Sequence, residues 1–509
     1  MIKKTLLSFL LISFYCNNLF PGGWNTNTNN SAAFVRTGCR NSSQEIDAAF
    51  FCPASLINLE DGWHMNFSDE LLLIHQELKN DYIYMNKHKF VGDIIAPIYP
   101  CIYLAYKKDR MVISGGIYPY GAGGAGAYKT GMPSFEMQVA NMVPELSYNL
   151  KQLDILKPLL GYKPSDINDY SADLAFYGAS IKVGFQIDLT YKINDWLAAS
   201  IGTKFIYDFG YTKGGLTNLM VHTPKGWMKP GDYLRAVNAD LGIAGTTAAA
   251  FGIADLNKSA SEVDDLTSDK KVDVSESGIG WLPFCISLAI TPNEKLNFGF
   301  KYQHGCKFEA KNNTKVDGTG SFPDGAMVRN DIPAYLAFGA QYKFSKKFSA
   351  QMMFEYYFER EAYFGLVAPV VENDSIIYKV VDNSYITYSD PLLVGISGEY
   401  YITPKFMISA GFMFSKLFPK ENIAPTERNP NADSYCVNGG FRYKFKKFDF
   451  DFGIMTNQQL YYKRDYKIAA PVGADTKYIN TREEYSGTLW LFSFGINYHF
   501  PNKNKDKVQ

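Results

Sequence analysis

Trp490-Leu491-Phe492-Ser493-Phe494-Gly495-Ile496-Asn497-Tyr498-His499-Phe500 is a strand with two unlike faces. Every second residue from Trp490 to Phe500 is large and apolar, while the residues between them end in Ser493, Gly495, Asn497 and His499. Strand side chains point to opposite sides in turn, so the alternation separates a lipophilic face from a small or polar one. Phe448-Asp449-Phe450-Asp451-Phe452-Gly453-Ile454 repeats the pattern, with aspartates on the second face. The same period of two dominates the chain from about residue 62 onward. A wall standing in lipid reads this way, apolar outward and polar or small inward. A soluble sandwich could also bury one such face, so the decision passes to the turns.

Six connections are short and polar: Lys107–Asp109, Asn194–Asp195, Pro292–Lys295, Ser345–Lys347, Thr403–Lys405 and Lys446–Lys447. They join strand pairs expected at 95–107/110–120, 177–192/196–211, 280–291/296–310, 332–344/348–363, 391–402/406–418 and 434–445/448–462. An opening strand at 63–75 and a closing one at 484–500 bring the total to fourteen. The other connections, 76–94, 121–176, 212–279, 311–331, 364–390, 419–433 and 463–483, run long, and Tyr82–Val91 falls in the first of them. Even strand number, short periplasmic turns and long external loops describe a bacterial outer-membrane barrel with both ends in the periplasm. Each unpaired backbone group costs several kcal/mol in hydrocarbon, so such a sheet must close on itself. The expectation is an all-β fold, a fourteen-stranded antiparallel transmembrane β-barrel over residues 62–500. Fourteen strands enclose more space than wall side chains can fill, so something must plug the lumen.

Composition agrees. The chain of 509 residues holds 36 Tyr and 37 Phe, which suit a protein meeting both lipid and its watery boundary. Lys and Arg together number 51, as do Asp and Glu, so no electrostatic case exists for nucleic acid. Lys3 and Lys4 precede an apolar core from Thr5 to Tyr15, too short to span a bilayer, which reads as a cleaved export signal over residues 1–22 without a sharp cleavage site. A polar tail follows at 501–509. Cys39, Cys52, Cys101, Cys285, Cys306 and Cys436 form no CxxC pair and no zinc spacing. They read as small apolar side chains, and a Cys39–Cys52 bridge stays open. The six histidines join no Ser/His/Asp constellation and no nucleophile elbow. Neither catalysis, a metal nor a cofactor is expected.

Residues 23–61 lack alternation and precede the first strand. Within them Glu45, Ala48, Phe50, Phe51, Pro53, Ala54 and Leu56 match the N-terminal hatch of the FadL/TodX-type outer-membrane transporters, with Cys52 where that family usually has Asn. Met111-Val112-Ile113-Ser114-Gly115-Gly116-Ile117-Tyr118-Pro119-Tyr120-Gly121 resembles the same family's third strand. A third agreement is Ser277-Gly278-Ile279-Gly280-Trp281 leading to the turn at Thr291–Leu296. The resemblance implies a hatch inside the barrel that uses Glu45, Phe50, Phe51, Cys52, Pro53, Ala54 and Leu56. It also implies a kinked strand opening the wall sideways at Gly115, Gly116, Pro119 and Gly121. Pro cannot join a ladder and Gly weakens one, which is what a kink needs.

Two external loops look helical. Leu146, Leu150, Leu153, Leu156 and Leu160 recur near helical spacing, and Ala236–Leu256 is rich in Ala, Gly and Ile, including Phe251 and Ile253. Leucines facing water are unfavourable by about 1.5–3 kcal/mol each relative to burial, so they must cover each other, cover the barrel mouth or await an apolar ligand. The resemblance makes them an external hydrophobic groove. The stretch Glu262–Asp273 reads as a solvated loop tip. Resemblance and residues together imply a monomer in the outer membrane, in contact with its lipids and lipopolysaccharide. It would take up long-chain fatty acids or another hydrophobic small molecule by passive diffusion, with lateral exit into the membrane. A general porin or a surface-interaction barrel is the alternative.

Overall fold

Alternation becomes a closed wall in the computed structural model, which describes residues 31–242, 256–320, 322–364, 367–372, 375–385, 387–418, 420, 432–472 and 475–500. The export signal at 1–22, residues 23–30 of the N-terminal segment, Phe251, Ile253 and the tail at 501–509 lie outside the described residues. Fourteen antiparallel strands form the wall. They are β1 (Gly62–Asn80), β2 (Lys89–Ala96 and Cys101–Lys108), β3 (Met111–Tyr128), β4 (Asp169–Lys192) and β5 (Leu197–Thr223). Next come β6 (Lys270–Asn293), β7 (Leu296–Gln303 and Glu309–Asp317), β8 (Met327–Arg329 and Tyr335–Lys343), β9 (Phe348–Tyr357) and β10 (Leu392–Thr403). The last four are β11 (Phe406–Lys416), β12 (Ser434–Phe445), β13 (Phe448–Gln459 and Tyr462–Val472) and β14 (Asp475–His499). β14 pairs with β1 from His499 opposite His64 to Glu483 opposite Asn80, which closes the barrel. Closure satisfies every edge that lipid would leave unpaired.

Two boundaries differ from the expected ones. β1 runs on to Asn80 and β2 begins at Lys89, so residues 76–80 and 89–94 of the expected first loop are wall. Pro97 and Pro100 interrupt the strand, and proline has no N–H to offer a ladder, so Tyr82–Val91 reads as part of the loop and not as the start of β2. The expected long loop at 463–483 is instead a hairpin, with Tyr462–Val472 paired to Asp475–Tyr485. Its outward residues Lys463, Asp465 and Lys467 are exposed while Arg464 and Tyr466 are buried. Above the lipid a strand needs no apolar outer face, so its period is polar on the outside and reads as a loop. Likewise Glu262–Asp273 is no loop tip: it divides between the helix Leu256–Thr267 and the start of β6.

The wall is taller on one side. About 10 residues cross the hydrocarbon, and β9 has 10, whereas β4, β5 and β6 have 24, 27 and 24. Those three strands therefore rise well beyond the membrane and carry the external helices. Inside, the N-terminal segment folds as a helix, Ala32–Thr37, a turn of helix, Ala48–Phe51, and a 3-10 turn, Pro53–Asn58. Ser31 caps the first helix by accepting the Phe34 N–H, and Gly38 ends it with a φ of 75°. Glycines let this segment lie against the wall: a Cβ at Gly299 would stand 1.9 Å from the Asn41 carbonyl oxygen, and one at Gly411 2.0 Å from that of Thr37.

Candidate functional site

One end of the N-terminal segment is fixed to the wall by charge. Arg36 donates to Glu399 of β10 at 2.6 Å and to Asp451 of β13 at 2.9 Å. Arg442 of β12 holds Asp451 at 2.7 Å and also Glu45. Arg40 joins Glu45 at 2.5 Å and Asp47 at 2.6 Å within the segment. Burial pushes the Glu45 carboxyl up, but the Arg40, Arg442 and Arg36 guanidiniums outweigh it and hold the group well below the usual carboxylate range.

The other end carries Phe50, Phe51, Cys52, Pro53, Ala54 and Leu56, all buried. It leans on β4 to β7 through single hydrogen bonds. Gln186 donates to the Ala49 carbonyl at 2.8 Å, Thr190 to that of Pro53 at 3.0 Å, and the Ala54 N–H to Ser287 at 2.9 Å. Lys301 donates its Nζ to the Phe50 carbonyl. The Phe50 ring meets two lysine side chains, Lys204 at 4.5 Å and Lys301 at 4.4 Å from its centroid, with Tyr118 edge-on at 4.9 Å. Lys204 is fully buried, with Lys301 and the Asp188 carboxylate as its charged neighbours. Cys39 and Cys52 are both free, so the bridge left open by the sequence does not form.

Tyr118 also marks where the wall changes. β3 pairs with β2 from Met111 to Ile117, opposite Lys108 to Ile102, and no ladder among the described residues joins β3 beyond that point to Lys89–Ala96. Gly115 and Gly116 lie within regular ladders on both sides. Gly116 leaves room for the Tyr103 ring, which a Cβ would meet at 2.6 Å. The irregularities lie further on, where the register to β4 shifts between Pro119 and Gly121 and again between Ala122 and Ala125. Across the unladdered seam a side chain substitutes for backbone. Tyr128 of β3 lies over Gly92 of β2, where a Cβ would stand 2.8 Å from its ring, and donates its hydroxyl to Gln76 of β1 at 2.6 Å.

Above the lumen an apolar cap gathers residues from several loops. Leu146, Leu150 and Leu153 are buried in it beside Tyr233, Leu234 and Val237 of the helix Pro230–Leu241, with Leu156 and Leu160 packed at its margin. Most of the leucine stripe is thus spent on covering the mouth. Ile155 and Leu159, which the spacing passed over, are 81% and 66% exposed at the tip. Burial in the cap also pushes the Glu145 carboxyl up to about 7. A carboxyl raised in the fold contributes stability that is full below its ordinary value near 4.5 and lost as the pH rises through about 7. Proteolysis of the helix Met142–Leu150 should therefore quicken from about pH 5 to about pH 8 relative to Glu145→Gln, in which that pH-linked change is expected to vanish.

Sequence reasoning did not single out Lys204 and Lys301, because lysines on the wall are numerous. The available signal was register, since both fall on the inward face in mid-strand. Against known proteins, the family model described as outer membrane protein transport protein (OMPP1/FadL/TodX) matches residues 162–500. Among solved structures, the fold is similar to that of a Pseudomonas aeruginosa FadL homologue, with 13% identity and a TM-score of 0.59 over 94% of this chain and 100% of that one. It is also similar to the Pseudomonas putida toluene transporter TodX, with 13% identity and a TM-score of 0.51 over 92% and 98%. No curated protein matches the sequence.

Proposed function

Since the chain belongs to the OMPP1/FadL/TodX family of outer-membrane transport proteins, which are channels and not enzymes, we propose that it takes up long-chain carboxylic acids by passive diffusion. The carrying observation is the pair of buried lysines, Lys204 and Lys301, that lie together against the Phe50 ring with, among the described residues, the single carboxylate of Asp188 beside them. Two buried lysines against one carboxylate leave a positive excess that is costly away from water, and a second carboxylate is the ligand that relieves it. The surrounding rings of Tyr118, Tyr120 and Tyr335 suit an alkyl chain.

The acid is first caught at the exposed Ile155 and Leu159 and passes beneath the cap. Its head group then competes with the Phe50 carbonyl for Lys301 and loosens that end of the hatch, while the Arg36 and Arg442 ion pairs keep the other end fixed. The chain leaves sideways through the seam between Lys89–Ala96 and β3 beyond Ile117. Each methylene kept out of water favours this route by about 0.8 kcal/mol over an aqueous pore.

Purified protein should bind a fluorescent long-chain fatty acid and conduct ions poorly in planar bilayers. Large steady conductance without binding would make the barrel a porin, and binding of toluene but not fatty acid would make the substrate a neutral arene.

A further inference from the structure

The tall side of the wall carries a second feature, on its outer surface, that transport does not use. Directly opposed residues in neighbouring strands present their side chains to the same face. Tyr177, Lys213, Asp273 and Val316 form one such row across β4 to β7, and Ala175, Gly215 and Lys271 form the next row outward from the membrane. Lys213 continues the lipid-facing column of Phe205, Tyr207, Phe209 and Tyr211 in steps of two, so both rows face away from the lumen. Lys271 stands in the same way above Ile279 and Trp281.

Small residues in the second row leave a recess of about 740 Å³, rimmed by Lys87, Lys129, Lys213 and Lys271 and by the carboxylates of Asp173 and Asp273. Lys213 pairs with Asp273 at 3.4 Å, and Asp173 accepts from the Asn218 amide at 2.7 Å. Lys87, Lys129 and Lys271 have no ion pair among the described residues. The recess therefore has three uncommitted ammonium groups at the outer edge of an apolar column.

We propose that this recess seats the phosphorylated head group of an outer-leaflet lipid whose acyl chains lie against the column below. Charge complementarity selects an anion, and the continuous aromatic wall beneath selects one that carries chains. A free phosphate would use the lysines and leave the column idle.

The test uses the full-length protein in detergent micelles, titrated with a lipid A bearing both phosphates and followed by native mass spectrometry. Lysines near a membrane surface contribute about 1 kcal/mol each toward anionic lipid, roughly fivefold per residue, so Lys129→Gln with Lys271→Gln should weaken binding about 30-fold. The variant should stay heat-modifiable on gels and bind fatty acid as before. Lys463→Gln with Lys467→Gln, on the far hairpin, should leave lipid binding unchanged. Three results would overturn the assignment: equal binding by the recess variant and the parent, equal binding of the dephosphorylated lipid with the same chains, or inorganic phosphate binding as tightly as the lipid.

Discussion

Arg36→Met is expected to release the hatch and turn a quiet barrel into a leaking one at neutral pH. The side chain is fully buried and faces Glu399, Asp451 and Glu45, so its loss leaves carboxylates inside the lumen with too few cations. Breaking a buried ion network from one side costs about 3–5 kcal/mol, because the remaining charges are left uncompensated. The wall does not share that cost, since its strands are held by their own ladders. The hatch bears it, and what remains is the Arg442–Glu45 pair at the same end and links to β4 through β7 that are mostly single hydrogen bonds worth about 1 kcal/mol each. The second change Glu399→Gln removes one stranded carboxylate and should restore part of the block. In the parent, Glu45 is held well below its ordinary value, so its contribution is present above about pH 4.5 and fades only as the pH falls further. The parent should leak in strong acid alone. Bilayer current and protease access to residues 31–61 read both effects; a variant as silent and as protected as the parent would mean that the ions do not anchor the hatch.

The parts of this molecule legible in sequence were those in which one physical requirement acts on every residue. Lipid imposes a period of two on Trp490–Phe500 and Phe448–Ile454, and both are wall strands in the register that the alternation implies. The six tight turns fell where polar pairs interrupt that period. Where lipid stops, the signal stops: Tyr462–Val472 is a strand with charges outside, and it looked like a loop. β2 was half hidden because two prolines break it just where the seam begins. The hatch residues could be named by resemblance, but what they touch could not, since Phe50 meets Lys204 and Lys301 from strands more than 150 residues away. Gly115 and Gly116 show the opposite limit. Of the four residues read as a kink, Gly115 and Gly116 lie in regular ladders, with Gly116 making room for a tyrosine ring, while the register to β4 shifts between Pro119 and Gly121.

Lys204→Met should move two measurements in opposite directions. In the empty protein Lys204 is buried, opposed by the Lys301 charge, and held by the Asp188 carboxylate and the ring faces of Phe50, Tyr118 and Tyr120 at 4.5, 5.7 and 5.7 Å. A cation on a desolvated ring recovers about 2 kcal/mol, less than a buried ion loses on leaving water. Methionine has nearly the same length and no charge, and Lys301 still faces Asp188 when the repulsion between the two lysines is gone, so the empty barrel should unfold at higher temperature. Bound carboxylate depends on that same ammonium. A hydrogen bond to a charged group contributes about 1.5–3 kcal/mol, so affinity for a long-chain fatty acid should fall roughly 10- to 150-fold. The alcohol of matching chain length should bind the variant as well as it binds the parent, because chain burial is untouched. Lys301→Met should lose acid affinity too, but with a rise in ion leak, since its Nζ also holds the Phe50 carbonyl. Equal losses for acid and alcohol in Lys204→Met would show that the lysine shapes the pocket without reading the head group, and would point to a neutral substrate.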